Sequence, residues 1–130
     1  MKYLLDTNAV IALLNGHANM NAQARRHAPA DVGISSIVAH ELYYGACKSR
    51  RREGNIALVD ALPFEVLEFD KEDARLSGEV RAVLAGEGKT IGPYDVLIAG
   101  QALARGLTLV THNIAEFDRV ADLAVEDWEA

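Results

Sequence analysis

Residues 3–14, YLLDTNAVIALL, decide the architecture. Lys2 to Leu5 is a short apolar run, the pattern of a buried strand. Asp6 ends it. Asp6 or Thr7 can then cap a helix carrying Val10, Ile11, Leu13 and Leu14, which Asn15-Gly16 stops. A buried strand that feeds straight into a helix is the opening unit of an α/β sheet.

The alternation continues along the chain. Asn21 to His27 predicts a polar helix ended by Pro29, and Val32 to Ile34 a second short strand. Ser35 or Ser36 caps a helix to about Lys48, and Arg50 to Leu62 predicts a further one closed by Pro63. FEVLEF, residues 64–69, alternates apolar and acidic side chains, as a strand with one exposed face does. Asp70 caps a helix on which Leu76, Val80, Val83 and Leu84 share a face. Gly86 and Gly88 end that helix. Gly92-Pro93 opens another that runs to Arg105, with Gly106 as its stop. Leu107 to Val110 is a buried strand, and Leu123 to Val125 adds a last short one. The reading is a single α/β domain over residues 1–130. Its mostly parallel central sheet has four or five short strands, with helices on both faces.

Size and charge narrow the function. The chain has 130 residues, enough for one domain with its own core. No apolar run approaches the roughly 20 residues of a membrane span, and MKYLLDTN meets an acid too early for a signal peptide. The single cysteine, Cys47, cannot form an internal disulfide, so a cytoplasmic location is expected. Net charge is −6, which argues against broad, purely electrostatic binding of nucleic acid. It leaves room for an enzyme that holds nucleic acid through a metal and a local basic patch. The run Lys48, Arg50, Arg51, Arg52 is such a patch, for RNA phosphates or an acidic partner surface, or else a solvated helix end.

Three acids interrupt or abut apolar runs: Asp6, Glu41 in VAHELYYG, and Asp95 in GPYDVLIA. In an open α/β sheet, ligands bind outside the carboxyl ends of the strands. Asp6 and the segment Thr111-His112-Asn113 follow strands directly. A buried carboxylate is costly unless something cationic meets it, and converging carboxylates call for a divalent metal. Asp6 can also cap its helix. Glu41 is read as standing amid an apolar stripe, on one face with Ile37, Tyr44 and Gly45. Asp95 lies in a first helical turn, where the helix dipole favours a carboxylate in either role. Asn113 can take a metal-bound water or a phosphate oxygen, and Glu116 and Asp118 follow within reach.

Together these residues resemble the PIN-domain nucleases, and within them the VapC-like ribonuclease toxins of toxin–antitoxin pairs. The resemblance rests on LLDTNAVIALL, SSIVAHELYYGACKS, GPYDVLIAGQALARGLTLVTHNIAEFDRV and a VEDW ending, four pieces in order across nearly the whole chain. It implies a three-layer PIN-like fold in which Asp6, Glu41 and Asp95 hold Mg²⁺, with Mn²⁺ as a substitute. Many PIN domains carry an aspartate at the fourth position; Asn113 stands there, and Glu116 or Asp118 can supply the charge. Thr7, Asn8 and Thr111 look like accessory residues. The implied reaction is hydrolysis of RNA phosphodiester bonds, structured RNA such as tRNA included, by a metal-activated water. No histidine is required, so His40 and His112 are read as structural or surface groups. The implied partners are the RNA substrate, a cognate antitoxin and a second copy of the chain in a homodimer. A non-catalytic PIN module that only binds RNA or protein is the alternative. A haloacid-dehalogenase-like phosphatase wants a second aspartate two residues after the first, where Asn8 stands.

Overall fold

The computed structural model describes residues 1–130. Five strands form the sheet: β1 (Tyr3–Leu5), β2 (Val32–Ser35), β3 (Glu65–Leu67), β4 (Thr108–Val110) and β5 (Val125–Glu126). Their order is β3-β2-β1-β4-β5, and every pairing is parallel. β1 lies at the centre, with Leu4 opposite Gly33 on one side and Leu109 on the other. Leu4, Leu5, Val32, Ile34, Leu109 and Val110 are all buried, which is why their segments read as unbroken apolar runs. The chain leaves β1 for β2 on one side and returns to β4 on the other. The point where strand order reverses therefore falls at the carboxyl ends of β1 and β4, where Asp6 and Thr111 stand.

Seven helices complete the fold: α1 (Thr7–Leu14), α2 (Ala18–Ala24), α3 (Ser36–Lys48), α4 (Arg52–Asp60), α5 (Lys71–Gly86), α6 (Pro93–Arg105) and α7 (Ile114–Phe117). Asp6 is the cap of α1, accepting the Ala9 N–H at 2.8 Å, and Ser35 is the cap of α3. Asp70 and Asp73 form a reciprocal capping box at the start of α5. Gly106, with φ of +64°, closes α6 in the left-handed conformation that favours glycine.

Four local expectations need correction. α2 starts three residues earlier than predicted and ends at Ala24, because the His17 imidazole accepts the Met20 N–H and buried Met20 anchors the helix. β3 is shorter than the alternating stretch. The Glu68 carbonyl accepts from Gln101 and from Arg105, so it is drawn out of the ladder. Val83 is 56% exposed, and the buried line of α5 is instead Asp73, Ser77 and Leu84. This polar line faces α6, where Gly100 allows close approach: a Cβ there would stand 2.2 Å from Ser77 Oγ. Glu41 is not part of the buried stripe of α3, which is Val38, Leu42 and Ala46; it lies at the edge of that stripe with Tyr44 exposed beside it.

Candidate active site

Four elements converge at the switch point. β1 ends at Asp6, which is only 4% exposed. The Thr7 hydroxyl donates to Glu41 Oε1 at 2.7 Å, which fixes the α3 carboxylate beside the start of α1. Asp95 comes from the first turn of α6. Glu116, on α7, accepts the Gly92 N–H at 2.9 Å and so lies against Asp95. Asn113 donates its amide to the other oxygen of Glu116, and its backbone N–H bonds Thr111 Oγ1 at 3.0 Å.

The electrostatics are those of crowded anions. Burial pushes the Asp6 carboxyl up, with Glu129 and Glu41 adding to it, while hydrogen bonds from Thr111 and Ala9 pull it back. Burial raises Asp95 to about 7, helped by the adjacent Glu116 and by the charges of Asp6 and Glu41. No lysine or arginine forms an ion pair with Asp6, Glu41, Asp95 or Glu116. Elsewhere the protein does pair its buried acid: Asp73 meets Arg105 at 3.1 Å. An all-oxygen, uncompensated anionic donor set of this kind suits a hard divalent cation.

Other residues singled out from sequence fall differently. Thr111 is buried and hydrogen-bonds Asp6. Asn8 is exposed in the first turn of α1. Asp118 is exposed and lines a shallow depression with Lys89 and Arg119, apart from the other acids. Of Glu116 and Asp118, it is Glu116 that the fold places beside Asp95. Lys48 lies 4.7 Å over the Tyr44 ring, and Arg50, Arg51 and Arg52 are exposed; none contacts the acids. An apolar groove of about 230 Å³ borders Glu41, between Ile11 and Leu14 of α1, Leu42 of α3 and Leu58 of α4.

The tail was not read as part of this region. Trp128 is buried and stacks on His27 at 4.9 Å, and Asn19 holds the carbonyls of Glu129 and Ala130. That anchors Glu129 near Asp6, whose pKa it raises. His112 bonds Asp127 at 3.0 Å, and with Glu129 these bring their polar atoms within 4.8 Å of one another. The density of acids in VEDWEA was the available signal.

The fold and site define a class, and the comparisons agree on it. The PIN domain family matches residues 3–123, and the chain belongs to that family. Its relatives are of the VapC kind. It is 40% identical over 130 residues to the tRNA(fMet)-specific endonuclease VapC of Salmonella typhimurium, covering 98% of each chain. It is 38% identical over 136 residues to the ribonuclease VapC2 of Rickettsia felis, covering 99% of each. Among solved structures, the toxin chain in DNA-bound VapBC from Salmonella typhimurium superposes with a TM-score of 0.93 at 40% identity, covering 98% of both chains. VapBC-1 from nontypeable Haemophilus influenzae gives 0.90 at 31% identity over the full length of both. The three-layer α/β fold expected from the sequence is the fold of these proteins.

Proposed function

We propose that this protein is a metal-dependent endoribonuclease, the toxin of a toxin–antitoxin pair. The observation that carries the reading is the convergence of Asp6, Glu41, Asp95 and Glu116 with no basic side chain paired to any of them. These residues would hold a divalent cation such as Mg²⁺ or Mn²⁺, which would supply positive charge for the scissile phosphate and acidify a water. The residues around it do the positioning. Thr7 orients Glu41, and Thr111 and the Ala9 amide orient Asp6. Asn113 and Gly92 hold Glu116 where it completes the acid set beside Asp95. The direct role is thereby given to Glu116, with Asn113 as the residue that positions it; Asp118 has no part.

The relatives' names support the substrate and the partner. A tRNA is the first RNA to test, since the Salmonella typhimurium relative is named for one. The structural neighbours are VapBC complexes, which supports a cognate antitoxin. Its tail would lie in the groove bordered by Ile11, Leu42 and Leu58, where a basic side chain could reach Glu41 at the groove's end. Homodimer formation belongs to the same reading. Lys48, Arg50, Arg51 and Arg52 are the cationic surface offered to RNA or partner. No helix is long and apolar enough to cross a membrane.

The test is cleavage of tRNA and total RNA by purified protein in Mg²⁺, Mn²⁺ or EDTA, beside Asp6→Ala, with the new 5′ ends mapped. Discrete metal-dependent cuts, absent in the variant, are expected. RNA binding that survives both EDTA and Asp6→Ala, without cuts, would make the protein a binding module instead.

A further inference from the structure

Two of the acids have aromatic neighbours in sequence. His40 precedes Glu41 on α3, and Tyr94 precedes Asp95 on α6. Consecutive helical residues point about 100° apart, so each ring is turned away from the acid next to it. The two helices turn their rings to the same side: His40 and Tyr94 stand 5.8 Å apart between ring centroids, tilted by 55°. The charge of Glu41 also reaches Asp95 and helps to raise its pKa. A step of two rings therefore runs alongside the acid pocket and is shared by the same two helices.

Nothing in the fold accounts for this step. Tyr94 is 45% exposed and His40 is also exposed, so the rings bury little apolar surface. Neither side chain makes a hydrogen bond within the protein. An exposed aromatic pair next to a phosphate-processing site is the arrangement on which unpaired bases stack, and His and Tyr both serve in that role. The net charge of −6 strengthens the case. Long-range attraction to the RNA backbone is weak here, so contacts at the site add to whatever a local basic patch supplies.

We propose that His40 and Tyr94 form a stacking platform for a nucleobase next to the scissile phosphate, so that the enzyme selects an unpaired nucleotide there. The proposal rests on the ribonuclease reading for its substrate, but it has a readout that does not need cleavage. The step favours a single-stranded or looped segment over a duplex, because a paired base cannot leave its stack to reach the rings.

The experiment uses short single-stranded ribo-oligonucleotides, each with one 2-aminopurine at a different position. Binding is followed by fluorescence with Ca²⁺ in place of Mg²⁺. Stacking quenches 2-aminopurine, so quenching at one position is expected with the wild-type protein. Tyr94→Leu should abolish that quenching and weaken binding by about 5- to 150-fold, the range expected for one lost base stack. Tyr94→Phe, which keeps the ring, should recover most of the loss, and His40→Ala should weaken binding to a smaller degree. Thermal melting and Mn²⁺ affinity of each variant show that fold and acid site are intact. Equal quenching and affinity in the wild type and Tyr94→Leu would overturn the platform. So would a Tyr94→Leu protein that keeps its RNA affinity but loses self-association, which would assign the step to a protein interface. Quenching without metal-dependent cleavage in Mg²⁺ would retain the platform and sink the nuclease. Cleavage without a Tyr94 effect would do the reverse.

Discussion

Glu116 and Asp95 lie carboxylate to carboxylate, with the Gly92 N–H bonded to Glu116 at 2.9 Å and the Asp95 pKa raised to about 7. Gly92 makes the contact possible, since a Cβ there would stand 3.0 Å from Asp95 Oδ2 and 3.6 Å from Glu116 Oε1. Two anions held this close in a metal-free protein share a proton, and a divalent cation relieves them both.

This pair predicts an unusual pH dependence. Folding raises the Asp95 pKa above its ordinary value of 3.8, so the folded protein holds that proton more tightly than the unfolded chain. Stability of the metal-free protein therefore falls as pH climbs from about 4 through about 7. Melting temperatures across that range should show the decline. Asp95→Asn should flatten it, and saturating Mg²⁺ should reverse it by binding the ionised form.

Glu116 and Asp118 are two residues apart in sequence and have different surroundings. Glu116→Gln should lower cleavage and metal affinity by about 10- to 100-fold, the scale of losing a group that completes or orients a metal site. Asp118→Asn should leave both within about twofold. Parallel rates and Mn²⁺ titrations check this, and equal losses in the two variants would contradict the assignment.

Gly100→Ala tests the α5–α6 contact. The added Cβ would stand 2.5 Å from the backbone of Ser77, so one helix must shift. Destabilisation of about 1–3 kcal/mol or more is expected from such overpacking, visible as a lower denaturation midpoint.

Trp128→Ala should cost about 3–5 kcal/mol, because the ring is 3% exposed and packs on both His27 and Tyr3. The same change frees the tail that carries Glu129, so the accompanying fall in Asp6 crowding should raise the metal-free stability of whatever remains folded at high pH. Chemical denaturation at two pH values separates the two effects.

What sequence reasoning could reach was local or strongly patterned. The β1 and β4 runs, the Asp70 cap and the Gly106 stop carry their signals within a few residues, and they appear where expected. α2 was displaced because its cap is the imidazole of His17, outside the usual set of capping residues. The buried line of α5 was missed because Asp73 is tolerable only through Arg105 and Gln101, 32 and 28 residues away, which no window along the chain reveals. The places of Asp6 and Asn113 just after strands, of Asp95 in a first helical turn and of Glu41 midway along a helix were legible. That Glu116 rather than Asp118 would lie beside Asp95 was not, since it depends on how the single turn of α7 is oriented against Gly92. The nearness of Glu129 to Asp6 depends on the Trp128 anchor, again a long-range contact.

The central claim is that the acids at the switch point are one divalent-cation site. Calorimetric titration of the metal-free protein with Mn²⁺, at a pH above 7, tests it most directly. Saturable binding is expected, weakening by at least about 10-fold in each of Asp6→Asn, Glu41→Gln and Asp95→Asn. Binding that is absent in the wild type, or unchanged in all three variants, would contradict it.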